Sequence, residues 1–127
     1  MKAANDRQTT IKKEISIKGV GIHTGKEARI KLKPAPENYG VSFIRVDMEG
    51  SPEVPADIDY VSGVLRGTTL ENGKAKVQTV EHLLATLYGL GIDNLIVEID
   101  NDELPVGDGS ASIYTEALLK AGIKEQS

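Results

Sequence analysis

Between residues 28 and 33 the chain alternates without a break: Ala28, Ile30 and Leu32 against Arg29, Lys31 and Lys33. A helix turning about 100° per residue would scatter those apolar side chains, whereas a strand sends them all to one face. The segment therefore reads as a half-buried antiparallel strand, dry on one side and wet on the other. A sheet built from such strands has to cover its dry face with a second layer, and that requirement governs how the rest of the chain is read.

Further strands are expected over residues 11–17, where Ile15 and Ile17 alternate, over 41–46 around Val41 and Phe43, and over 95–99, where Leu95, Val97 and Ile99 alternate with Ile96 and Glu98. Residues 34–40 read as a turn, and Gly50, Ser51, Pro52 and Pro55 punctuate a loop. Residues 65–70 read as a strand flanking a site, followed by Asn72-Gly73, a hairpin-turn signal. Three glycines in residues 19–25 mark tight backbone, either a bulge or a hairpin corner. A helix is predicted over 80–88, with Thr79 as its N-cap and Gly89-Leu90-Gly91 as its stop. A loop over 104–111 feeds a last helix whose stripe is Ile113, Ala117, Leu118 and Ala121, stopped by Gly122. Strands followed by helix, strand and helix predict an α+β fold: a two-layer sandwich with a mainly antiparallel sheet and two helices packed on one face. Residues 1–7 are expected to be a flexible terminus and 8–127 a single domain.

Composition narrows the function classes. The chain has 127 residues, enough for a real core, and no cysteine, so disulfides and thiolate zinc sites are excluded. A net charge of −4, one Phe, four Tyr and no Trp argue against nucleic-acid binding by charge or by stacking. The cations Arg7, Lys12, Lys13, Lys18, Lys26, Arg29, Lys31 and Lys33 read as a solvated face of alternating strands, with a patch for an anionic small molecule as the alternative. No stretch reaches the ~18 apolar residues of a membrane span, and the polar first ten residues lack the apolar core of a secretion signal. A cytoplasmic location is expected.

The chemistry concentrates in Thr79-Val80-Glu81-His82-Leu83-Leu84. Val80, Leu83, Leu84 and Leu87 form a buried helical stripe, and His82 lies roughly 150° from its centre. His82 shares its face with the small residues Ala85, Thr86 and Gly89, and so is offered to something that approaches closely from outside. An adjacent Glu-His pair on a helix is most often a surface feature. Here it sits in the first turn, where the helix dipole favours an ionised carboxylate, the form that accepts a proton, and a neutral imidazole, the form that binds a metal. His23, between glycines, is either a polar loop residue or a site residue. The G-x-G-x-x-G spacing fails because Gly25 falls one place late, and the chain holds neither a P-loop nor an H-E-x-x-H pair. Asp108, ahead of the last helix, is either an N-cap or a carboxylate orienting a ligand imidazole. A catalytic zinc takes three protein ligands, and this chain offers His82, His23 and a carboxylate.

Five segments taken together, Gly-Val-Gly-Ile-His23-Thr-Gly, Lys33-Pro-Ala-Pro, Thr79-Val-Glu-His82-Leu-Leu, Gly89-Leu-Gly-Ile-Asp93-Asn94 and Pro105-Val-Gly-Asp108-Gly-Ser-Ala, resemble the UDP-3-O-acyl-N-acetylglucosamine deacetylases, in that family's order and over residues 8–123. The resemblance implies a cytoplasmic enzyme of lipid A biosynthesis that removes acetate from the sugar nitrogen with a zinc-bound water. It implies His82 as a zinc ligand, Glu81 as the general base, and His23 near the UDP-linked acyl-amino-sugar substrate. It also places residues 65–68, Gly67 among them, along the acyl-sugar site. It implies a fold of two similar α+β domains facing each other, of which this chain matches the first. The second domain, carrying the other His and Asp ligands, the acid histidine and an oxyanion-stabilising threonine, has no counterpart here. The expectation is a half site, inactive until its partner domain completes it in cis or as a separate chain. The rival expectation is a non-catalytic binding or assembly module whose His82 face is a protein interface. RNA binding on a similar fold is disfavoured by the acidic balance and scarce aromatics.

Overall fold

The computed structural model describes residues 7–21, 23–64, 67–105 and 112–127, with Ser112 described by its backbone alone. In chain order they form β1 (Thr9–Ile11), β2 (Ile15–Val20), β3 (Glu27–Pro34), β4 (Val41–Arg45), β5 (Glu53–Pro55), a 3-10 turn (Ile58–Tyr60), β6 (Val61–Gly63), β7 (Thr69–Asn72), β8 (Ala75–Gln78), α1 (Glu81–Leu90), β9 (Leu95–Ile99), α2 (Ser112–Ala121) and β10 (Ile123–Glu125). The architecture is the expected α+β sandwich.

β3 is the strand that the alternation requires: Ala28, Ile30 and Leu32 are buried, Arg29 and Lys31 exposed. It pairs antiparallel with β2 on one edge, Ile15 opposite Leu32, and with β9 on the other, Leu32 opposite Val97. β9 runs parallel to β4, and β4 antiparallel to β5, giving a main sheet ordered β2-β3-β9-β4-β5. On its dry face, Ile30, Leu32, Phe43, Val97 and Ile99 join Leu83 and Leu87 of α1 and Tyr114, Leu118 and Ala121 of α2 in one apolar core. Each large side chain buried there contributes about 1.5–3 kcal/mol, which is what holds the helices on the sheet.

Two local expectations needed revision. The strand read over 11–17 is two strands: β1 pairs with β10, while Lys12 donates its N–H to Gly122 O at 2.8 Å before the chain enters the main sheet as β2. Pro55, read as loop, ends β5; as an edge strand, β5 can hold a residue without an N–H. Residues 75–78 form β8, pairing with β7 across the Asn72-Gly73 hairpin with Ala75 and Val77 buried. β6, β7 and β8 make a small second sheet. Arg45 ties it to the main one, donating from Nη1 to Lys76 O at 2.8 Å while its Nε and Nη2 grip Asp47 at 2.9 and 2.8 Å. That grip holds the Asp47 carboxyl below its usual range.

α1 ends where Gly91 turns left-handed at φ 72°, a conformation free of Cβ strain only for glycine, with its N–H reaching back to Leu87 O and Tyr88 O. Just beyond, Asn94 fastens the N-terminal strand. Its Oδ1 accepts from Gly40 N, and its Nδ2 donates to Gln8 and Gln126 Oε1, each at 2.8 Å. Thr9 N–H meanwhile donates to Asp93 Oδ2 at 2.8 Å. Asn94 is buried, so its loss removes three hydrogen bonds and leaves a gap where its amide stood. Asn94→Ala is expected to cost about 2 kcal/mol or more in equilibrium denaturation.

Candidate functional site

The entry to α1 is built from three segments. Thr79 turns the chain out of β8 at φ 62°, a left-handed conformation that a β-branched residue adopts only at a cost of roughly 1–3 kcal/mol. Two bonds hold it there: Thr79 N–H donates to Thr68 O at 2.9 Å, and its hydroxyl donates to Glu103 Oε2 at 2.8 Å. The expected N-cap role therefore fails. The cap position belongs to Val80, whose side chain makes no capping bond, because the Thr79 hydroxyl is committed to Glu103. The helix accordingly starts one residue later than the Thr79 cap implies, and Glu81 and His82 become its first two residues, still within the dipole of its first turn.

Glu81 is oriented by the segment that follows β6. Thr68 N–H donates to Glu81 Oε1 at 2.8 Å. Gly67 lies beside it at φ 100°, and a Cβ there would stand 2.9 Å from Glu81 Oε2. Only glycine fits this place on both counts, backbone conformation and space. Glu81 Oε2 is left 4.0 Å from His82 Nε2, and the two side chains are 37% and 35% exposed. From α2, Tyr114 is fully buried and its hydroxyl bonds Pro105 O. Burial first, and the charge of Glu81 second, push the phenol above its ordinary value and keep it neutral.

The residue that sequence reasoning missed is Glu103. It is 1% exposed, yet its carboxylate accepts from Thr24 N at 2.8 Å, His23 N at 3.1 and 3.2 Å, and the Thr79 hydroxyl. An isolated parallel bridge between Gln78 and Glu103 sets it beside the end of β8. These donors outweigh desolvation and hold the carboxyl below its usual range. Glu103 also explains the glycine-rich stretch, which is the corner of the β2–β3 hairpin. A Cβ on Gly21 would meet Glu103 Oε1 at 2.2 Å, and one on Gly19 would meet Pro105 at 2.9 Å. The signal available in the sequence was the pairing of these two glycines at strand spacing, which marks something pressed against one face of the backbone.

The structure brings Gly67, Glu81 and His82 together, and it fastens the exposed loop of His23 to the same helix entry through Glu103. Asp108 lies outside the described residues. Thr86, read as part of the open His82 face, is 8% exposed and donates to His82 O at 2.8 Å, so that face is carried by Ala85 and Gly89. Ala85, Thr86, Gly89 and Leu90 meet Thr115 of α2 along a shallow, mostly apolar groove. On the wet face of the sheet, Lys33 pairs with Glu98 at 2.9 Å and Asp100 accepts from Arg29 N at 2.8 Å, so the cations there are mixed with acids. Among the described residues, no three His, Cys, Asp or Glu side chains converge as a metal cluster. One imidazole is a third of what a catalytic zinc requires, so these residues fit part of such a site and not all of it. No helix among them is long and apolar enough to cross a membrane.

A family model described as UDP-3-O-acyl N-acetylglycosamine deacetylase matches residues 8–127. The chain is 55% identical over 119 residues to a protein of Chlorobaculum tepidum named "Bifunctional enzyme LpxC/FabZ", covering 94% of this chain and 26% of that one. It is 46% identical over 120 residues to the UDP-3-O-acyl-N-acetylglucosamine deacetylase of Legionella pneumophila, covering 94% of this chain and 40% of the relative. With the Xanthomonas oryzae protein of the same name it shares 48% over 121 residues, again 40% of the relative. The chain thus spans between a quarter and two-fifths of the length of these relatives.

Two outcomes follow from this geometry. Gly67→Ala should strain the backbone and push on the Glu81 carboxylate, lowering stability by about 1–3 kcal/mol in denaturant titration. Because the Glu103 carboxyl is depressed in the folded state, its stabilisation is full above the ordinary glutamate range and is lost as pH falls through its folded value. The stability gap between wild type and Glu103→Gln should therefore be wide at about pH 7 and shrink by about pH 3.

Proposed function

The chain belongs to the UDP-3-O-acyl N-acetylglycosamine deacetylase family, and from that membership we propose that the protein carrying it hydrolyses the acetamide of a UDP-linked 3-O-acyl-N-acetylglucosamine, releasing acetate and the free amine in cytoplasmic lipid A biosynthesis. The observation that carries this reading is the Glu81-His82 pair at the start of α1. One carboxylate oxygen is tied to Thr68 N–H at 2.8 Å, and the other is left on the half-exposed side next to the imidazole.

His82 is the ligand that this chain would give to a zinc ion, with the remaining ligands coming from a second domain. When bound, such an ion supplies Lewis acidity, acidifying water and polarising the acetamide carbonyl. Glu81 does the proton work. With Oε1 held by Thr68, its Oε2 takes the proton from the attacking water. Buried Tyr114, which feels the charge of Glu81, stays neutral and adds no competing charge. Gly67 and the His23 loop flank the pair and would receive the sugar nucleotide. Two features favour completion by a second domain: the missing ligands among the described residues, and the apolar groove between α1 and α2 that a packed partner would cover.

In the complete protein, Glu81→Gln is expected to leave metal content unchanged and lower acetate release by about 10²-fold or more. His82→Ala should lose metal, read by elemental analysis. Undiminished turnover in both variants would instead favour the assembly-module reading of the His82 face.

A further inference from the structure

Glu103 touches neither Glu81 nor His82 by any bond described above, yet it joins the two segments that would frame a substrate there. One carboxylate accepts from the Thr24 and His23 amides on the β2–β3 corner and from the Thr79 hydroxyl at the helix entry. Thr79 is two residues from Glu81 and sits in a conformation its side chain resists. Its N–H and that of Val80 both point to Thr68 O, at 2.9 and 3.4 Å, and Thr68 N–H in turn holds Glu81. The chain of contacts is continuous: His23 loop, Glu103, Thr79, Thr68, Glu81.

We propose that Glu103 is a positioning residue that sets the spacing between the His23 loop and the Glu81-His82 pair. Resting on the deacetylase reading, the inference deepens it by assigning a role to a buried carboxylate that the reaction itself does not use. Three features point this way. Buried carboxylates are rare unless their donors are worth the desolvation, and these donors come from two separate elements. Gly21 leaves no room for a Cβ, so the loop backbone is seated directly on the carboxylate. Thr79 would relax from φ 62° without its two holding bonds, and relaxation would swing the first turn of α1.

The test uses the complete protein and separates the two branches. Thr79→Ala cuts only the helix branch. It should lower kcat by about tenfold or more with KM near wild type, since an error of about 1 Å in a reacting group costs up to 10²-fold. Thr79→Ser keeps the hydroxyl and should restore kcat. Glu103→Gln loosens both branches, so it should lower kcat and raise KM together, and its kcat loss should not multiply with that of Thr79→Ala. A Thr79→Ala protein with wild-type kcat, a Thr79→Ser protein no better than Thr79→Ala, or fully multiplicative losses would overturn the proposal. A second readout does not depend on the reaction. Amide exchange at His23 and Thr24 should accelerate about tenfold in Glu103→Gln while core amides stay protected. Unchanged exchange would overturn the clasp. If the wild-type protein releases no acetate, the deacetylase reading fails and the exchange measurement alone decides the clasp.

Discussion

A carboxylate taken out of water must be met by donors, and Glu103 is met by the amides of His23 and Thr24 and the hydroxyl of Thr79. Satisfying that charge dictates much of what surrounds it. The hairpin corner has to lie close, which requires glycine at position 21. The residue that follows β8 has to turn its side chain inward, which puts Thr79 into a left-handed conformation and denies it the ordinary capping role. α1 then starts without a side-chain cap, and its first turn is steadied by Thr68 instead, which bonds both the backbone entering the helix and the Glu81 carboxylate. Placing Glu81 is thus a consequence of burying Glu103.

The elements legible in the sequence are those whose side chains alternate or recur against one core. β3 and β9 follow from strict period-two patterns, and both helices follow from stripes that the structure buries, Leu83 and Leu87 in one, Leu118 and Ala121 in the other. Those signals come from how each residue partitions between core and water, so a single chain carries them. The break between β1 and β2 has another origin: pairing with β10, more than a hundred residues away, which leaves no local periodic mark. β8 was hidden for a related reason, since four residues between a hairpin turn and a helix carry too short a pattern to mark a strand until β7 is seen to pair with them.

The site was half legible. Glu81 and His82 stood out because an acid and an imidazole in a helix's first turn make chemical sense locally, and Gly67 because it lay in a segment expected to flank them. Glu103 did not, since a glutamate between Asp102 and Leu104 has no local reason to be inside. Its burial depends on donors contributed from positions 23, 24 and 79. Residues that act on the substrate tend to announce their chemistry; residues that hold them do so through distant partners and are silent in the sequence.

In the proposed enzyme this chain would carry half of a site that a second domain completes. A proton acceptor is useful only if its geometry is set before the reacting groups arrive, because ordering it during the reaction would raise the barrier. Here the ordering is internal to the chain. Glu81 is oriented by Thr68, Thr68 is bonded to Thr79, and Thr79 is pinned by a charge that cannot move without losing its donors. None of these bonds needs a partner surface to form. In the proposed enzyme, therefore, the second domain would add ligands and close the apolar groove beside α1, whereas the direction in which Glu81 presents its free oxygen would already be decided by residues 68, 79 and 103.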